Sequence, residues 1–168
     1  MITGDRNWND VTTLTTFFTS TLTKKYPPTA YAVIHGGCRG VDSIAANVAG
    51  DIGYKTCEFP ADWSSNGKAA GPIRNKEMID LLPEVVVIFH TTLSTSTGTK
   101  DCVKQVCKRM DRSFTPALYL NGSRVSRATK YHKLSSCTRS DTSRYISTYK
   151  QLHIARYTAN TQASTHQF

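Results

Sequence analysis

Short apolar runs along this chain alternate with stretches where apolar residues recur every three or four positions. The runs predict strands over 1–3, 30–35, 54–59, 84–89 and 115–120. Glu84-Val-Val-Val-Ile-Phe89 is the clearest, since an unbroken apolar run is what a parallel strand buried on both faces requires. The first is short, and residues upstream of Met1 would complete it. The stepped stretches predict helices. Val11, Leu14, Phe17, Phe18 and Leu22 mark one over about 10–25, capped by Asn9 or Asp10 and ended by Pro27-Pro28. Val41, Ile44, Ala45, Val48, Ala49 and Ile52 mark a second, up to Gly53. A third opens at Gly71-Pro72, with Arg74 and Asn75 in its first turn. A fourth starts at Thr99 or Lys100 and runs to about Met110, with Val103, Val106 and Met110 inside.

Strand–helix alternation at this spacing predicts an α/β fold, a Rossmann-like doubly wound parallel sheet of about five strands. Ligands of such sheets bind beyond the carboxyl ends of the strands, where the strand order reverses. The polar loops 4–8, 36–40, 61–70 and 90–99 all fall on that edge. Gly36, Gly37 and Gly40 stand where a strand hands over to a helix amino terminus, whose free N–H groups and dipole favour an anion. Arg39 adds a cation within that loop, and Gly4 and Arg6 follow the first strand. A tight turn that needs glycine for its dihedrals alone is the competing reading.

The net charge of +9 is unevenly placed. Up to Tyr119 there are 13 basic and 11 acidic residues; beyond it, 8 basic residues stand against Asp141 alone. This divides the chain into a body over 1–120 and a basic Ser/Thr/Tyr-rich extension over 121–168, with a possible helix over about 141–157. The five cysteines (Cys38, Cys57, Cys102, Cys107 and Cys137) are odd in number and fit neither a disulfide framework nor a zinc site. Reduced thiols, no metal and a cytoplasmic location are expected, for the amino terminus does not resemble a signal peptide and no apolar run approaches a membrane span.

Five motifs occur in one order: Thr3-Gly-Asp-Arg-Asn-Trp8, His35-Gly-Gly-Cys-Arg-Gly-Val-Asp42, Pro60-Ala-Asp-Trp63, Lys68 to Met78, and Gly98-Thr99. Together they resemble the YspA/YpsA-related branch of the SLOG superfamily, whose relatives include the LOG-type phosphoribohydrolases and DprA. The resemblance covers about residues 1–119 and implies binding of a nucleotide, nucleoside phosphate or ADP-ribose-like ligand, with no other cofactor required. Gly36, Gly37 and Gly40 would then cradle phosphate through backbone amides, with Arg39 assisting. Asp42 would cap the helix or hold a ribose hydroxyl. Trp63 would stack on a base or anchor its loop, and Asn75 would pin backbone or ligand. Gly98 and Thr99 complete the expected ligand set.

Arg74 matches the arginine of LOG-type hydrolases. Those enzymes carry Pro-Gly-Gly-x-Gly-Thr-x-x-Glu in the fourth loop, whereas this chain has Thr95-Ser-Thr-Gly-Thr-Lys-Asp-Cys102. Cys102 thus stands at the position of the catalytic glutamate. N-glycosidic cleavage needs a carboxylate, and Asp101, or else Asp5 or Asp62, would have to supply it. Three functions compete: a nucleotide-binding sensor or carrier, a nucleoside-monophosphate N-glycosidase, and an accessory subunit of a large, possibly nucleoprotein, assembly. In the last, the tail's arginines, lysines and tyrosines would contact phosphates and bases. A homo-oligomer is compatible with all three, and no membrane partner is expected.

Overall fold

The computed structural model describes residues 1–110 and 114–125. All five expected strands form, the first shifted by one residue and the others trimmed: β1 (Ile2–Gly4), β2 (Ala32–His35), β3 (Lys55–Glu58), β4 (Val85–Phe89) and β5 (Ala117–Leu120). A sixth, β6 (Ser123–Arg124), follows the turn at Asn121-Gly122 and was not expected. It pairs antiparallel with β5, so the sheet runs past the boundary drawn at residue 120. The hydrogen-bonded order is β1-β4-β5-β6, with β2-β3 as a separate parallel pair beside β1. Among β1 to β5 every ladder is parallel.

β4 shows why its run is unbroken. Val85, Val87 and Phe89 pack into one core with Leu14, Phe17, Val41 and Ala45, while Val86 and Ile88 pack into another with Met78, Val103 and Val106. Side chains alternate across a strand, so a sheet covered on both faces needs apolar residues at every position. Burying each large side chain contributes about 1.5–3 kcal/mol.

The first helix starts where predicted, α1 (Val11–Phe17), with Asp10 accepting a hydrogen bond from the Thr13 amide. It continues through a π-helical turn, Phe18–Leu22, into α2 (Thr23–Lys25). The Thr19 hydroxyl donates to the Thr15 carbonyl and the Thr23 hydroxyl to the Thr19 carbonyl. Back-bonding of this kind competes for ladder acceptors and loosens the turn. α3 (Val41–Ile52) ends on Gly53 in the left-handed conformation.

The stretch 61–70, expected as a loop, is largely helical: α4 (Trp63–Asn66), capped by Asp62, and then a 3-10 turn, Gly67–Ala69. α5 (Ala70–Asp80) follows directly, so Gly71-Pro72 sits inside its first turn and Arg74 and Asn75 are its fifth and sixth residues, one position deeper than expected. α6 (Gly98–Arg109) begins at Gly98, slightly earlier than predicted. Cys38, Cys57, Cys102 and Cys107 are free thiols, as expected. No helix among the described residues is long and apolar enough to cross a membrane. The predicted helix over 141–157, Cys137 and nearly all of the basic extension lie outside the described residues.

Candidate functional site

β1 and β4 are neighbours, yet the chain leaves β1 toward β2 on one side and leaves β4 toward β5 on the other. This is the point in a doubly wound sheet where a crevice opens. A cavity of about 690 Å³ lies there, walled by the segment after β1, the loop after β4, and the starts of α5 and α6. Trp8 fixes the first wall: its ring stands edge-on to Phe89, 5.3 Å between centroids, and its indole N–H donates to the Asp10 carbonyl.

The glycine loop after β2 is turned inward. The Gly36 and Cys38 amides both donate to Asp42 Oδ2, at 3.0 and 3.4 Å, and the Gly37 amide donates to His35 Nδ1 at 3.1 Å. These amides are therefore engaged within the protein, and the phosphate cradle expected of them is not what the loop presents. Asp42 does not cap α3, whose N-cap is Gly40; it holds the loop and also lines the cleft. Burial pushes its carboxyl up to about 6, against the Cys38 and Gly36 amides and the charge of Arg74. His35 is held below its ordinary value mainly by burial, with Arg74 adding and Glu58 opposing, which fits a neutral ring accepting through Nδ1.

The glycines have steric reasons of their own. A Cβ on Gly36 would run into the Arg74 guanidinium, and one on Gly37 into the Glu58 carboxylate. Gly40, at φ +79°, lies against the Asp5 carbonyl, and Gly4 against Phe89 and Val41. Gly98 differs from these four, because a Cβ added there meets no atom within 4 Å, as is also true of Gly50, Gly53 and Gly67.

Arg74 is 7% exposed. Its Nη1 donates to the Gly36 carbonyl and, at 3.3 Å, to the Phe59 carbonyl, while Nε is buried without a partner among the described residues. Asn75, also buried, donates through Nδ2 to Asp101 Oδ2 at 3.1 Å, and Gln105 donates to the same oxygen at 2.8 Å. Arg74, Asn75 and Asp101 all line the cleft. Cys102 does not. It is fully buried in the core beneath α6, and burial pushes its thiol up to about 12. The one-residue offset between the two side chains decides which reaches the cleft, and it is the carboxylate that does.

The loop after β4 is held from outside. Asn121 accepts from the His90 amide through Oδ1 and donates to the His90 carbonyl through Nδ2, at 2.6 and 2.8 Å. His90 lines the cleft, and its Nδ1 accepts from the Thr92 amide at 3.0 Å. Burial lowers its pKa and Asp5 opposes this. Although His90 Nδ1 lies 3.8 Å from Asp5 Oδ2, a ring that accepts at Nδ1 and resists protonation forms no ion pair there. Burial pushes the Asp5 carboxyl up, but hydrogen bonds from the Asn7 amide and the Thr91 hydroxyl outweigh it, and it sits below its ordinary value. Ser96 Oγ accepts from the Thr99 amide, and the Thr99 hydroxyl donates to the Gly4 carbonyl, tying α6 to β1. Asp62, the third carboxylate considered for catalysis, is an exposed helix cap outside the cleft.

A second cleft of about 500 Å³ lies on the other side of Arg74. Gly36, Gly37 and Arg39 open onto it, together with Glu58, Pro60 and Ala61, while Arg6, Cys38, Trp63 and Arg74 border both cavities. Trp63 is 53% exposed and touches the α5 start at Gly71, where a Cβ would meet its ring at 3.4 Å.

The family model for the YspA, cpYpsA-related SLOG proteins (YAcAr) matches residues 1–65, the stretch that carries β1, the glycine loop, β3 and Trp63. The chain belongs to that family. A relative of this SLOG protein, the Gene 61 protein of Mycobacterium phage D29, is 35% identical over 113 residues, covering 64% of this chain and 87% of the relative. No solved structure matches the chain at a significant level. SLOG membership, with a Rossmann-like sheet, suggests a nucleotide-related small-molecule ligand. Sequence reasoning missed that His90 and Lys68 line the cleft and that Asn121 holds the His90 backbone. A histidine at a strand's end, a lysine in a supposed loop and an Asn-Gly turn carry no ligand signal until folding gathers them.

Proposed function

We propose that this SLOG protein binds a nucleotide, nucleoside phosphate or ADP-ribose-like ligand in the cleft between the loops after β1 and β4. One observation carries the reading: a more than nine-tenths buried guanidinium, Arg74, anchored by the Gly36 and Phe59 carbonyls, lies in the wall of that cleft. A guanidinium fixed there favours an anionic ligand through charge-assisted hydrogen bonds. Gly98 supports it, since that glycine opens space at the cleft and relieves no clash. The volume, about 690 Å³, lies within the usual range of small-molecule sites.

Titration calorimetry with a panel of nucleotides and ADP-ribose tests this. At least one compound should bind the intact protein, and Gly98→Leu should weaken it tenfold or more with an unchanged melting temperature. Arg74→Ala should weaken binding too, and would also loosen the glycine loop. A panel in which nothing binds the wild type overturns the reading.

A nucleoside-monophosphate N-glycosidase is the second reading, favoured by the placement of Asp101. Its Oδ2 is oriented by Asn75 and Gln105, and the side chain lines the cleft while Cys102 turns away. A carboxylate so placed can orient water toward an anomeric carbon as the base departs. Incubation with AMP should release adenine, and Asp101→Asn should slow the release about a hundredfold. Equal rates in wild type and variant would remove Asp101 from the chemistry.

A further inference from the structure

The two clefts share a wall but differ in charge. The main cleft sets three carboxylates (Asp5, Asp42 and Asp101) against three cations (Arg6, Lys68 and Arg74). The second cleft sets three guanidiniums (Arg6, Arg39 and Arg74) against Glu58 alone. Balanced charge with many hydroxyls suits a sugar and a base, whereas an excess of guanidinium suits a phosphate.

The excess is held in place. The Val41 amide donates to the Asp5 carbonyl at 3.1 Å, and Arg39 Nη2 donates to Asn7 Oδ1 at 3.1 Å, so the loops bearing Arg6 and Arg39 are fastened together. Among the described residues neither arginine forms an ion pair. The α6 amino terminus, the other candidate anion site, already has Ser96 bound to the Thr99 amide and carries Asp101 in its first turn. A second negative charge there is disfavoured.

We propose that the second cleft is a distal-phosphate subsite for the same ligand, so that the protein prefers nucleoside diphosphates, free or esterified, over monophosphates. The nucleoside occupies the main cleft, the chain of phosphates passes Arg74 at the shared wall, and the outer phosphate meets Arg6 and Arg39. This deepens the nucleotide-binding reading and rests on it.

Calorimetry with mono- and diphosphates of adenosine, guanosine, cytidine and uridine, together with ADP-ribose, tests the subsite. For the preferred base, the diphosphate should bind about tenfold tighter than the monophosphate at the same ionic strength. In Arg39→Gln and in Arg6→Gln the ratio should fall toward one; both side chains are exposed, so folding is not at risk. ADP-ribose matching ADP places an esterified diphosphate in the subsite, and ADP alone gaining places a terminal phosphate there; either supports the proposal. Mono- and diphosphates binding equally well to wild type would overturn the subsite while leaving the nucleotide reading standing. So would a ratio unchanged in both variants. No binding by any compound would overturn the nucleotide reading itself.

Discussion

The loop after β2 and the loop after β4 end neighbouring parts of one sheet edge, and each begins with a buried histidine whose Nδ1 accepts the amide two residues on. They then diverge. The first is rich in glycine and closed on itself, its amides taken by Asp42 and His35 and its Gly36 carbonyl by Arg74. The second is rich in threonine and serine, is clipped at its root by Asn121, and leaves Gly98 facing open space. Glycine in a strand-to-helix turn is therefore an ambiguous sign. It marks close approach, but the approaching group here is the protein's own arginine or carboxylate.

The largest test of this contrast compares two glycines. Gly40→Ala forces a side chain at φ +79° against the Asp5 carbonyl and should cost about 4 kcal/mol in denaturant unfolding. Gly98→Ala should stay within about 0.5 kcal/mol of wild type. Comparable losses at both would erase the distinction between a packed glycine and an open one.

The clamps differ as well, for one titrates and the other does not. Asp42 has a carboxyl raised from 3.8 to about 6 in the fold. Between those values the folded protein keeps a proton that the unfolded chain has lost. The contribution is thus full below 3.8 and is lost as pH rises through about 6, on the order of 3 kcal/mol in all. Urea unfolding of wild type and Asp42→Asn across that range should show the fall in wild type alone. Parallel curves would mean that Asp42 is not the buried acid of the loop. Asn121 holds the β4 loop through an amide, so Asn121→Ala should cost about 2 kcal/mol with no such pH dependence. A loss that varied between pH 4 and 6 would tie the two loops to one titration.

Much of the frame could be read from spacing. Five strands and the main helices follow from runs and steps, since buried faces impose periods on the sequence. The parts that could not be read depend on contacts distant in the chain. Whether a phosphate or Asp42 occupies the Gly36 amide is decided by how α3 seats against β2, and no local pattern records it. The helical turn at Trp63–Asn66 was hidden by its polar composition, although Asp62 followed by Ser64 and Ser65 is a capping signal. The sequence places Cys102 at the enzyme position, and only the packing of Cys102 and Val103 of α6 into the core with Met1 and Ile88 shows that Asp101 faces the cleft. β6 is too short to leave any period.

That short strand also sets a direction. β5 carries the chain toward the cleft edge, the Asn121-Gly122 turn reverses it, and Val125 comes level with Leu118, its amide bonded to the Leu118 carbonyl. The last described residue therefore heads away from the ligand side, at the outer border of the sheet. A path from Val125 back to the cleft must cover about the length of β5, roughly 13 Å at ~3.3 Å per residue.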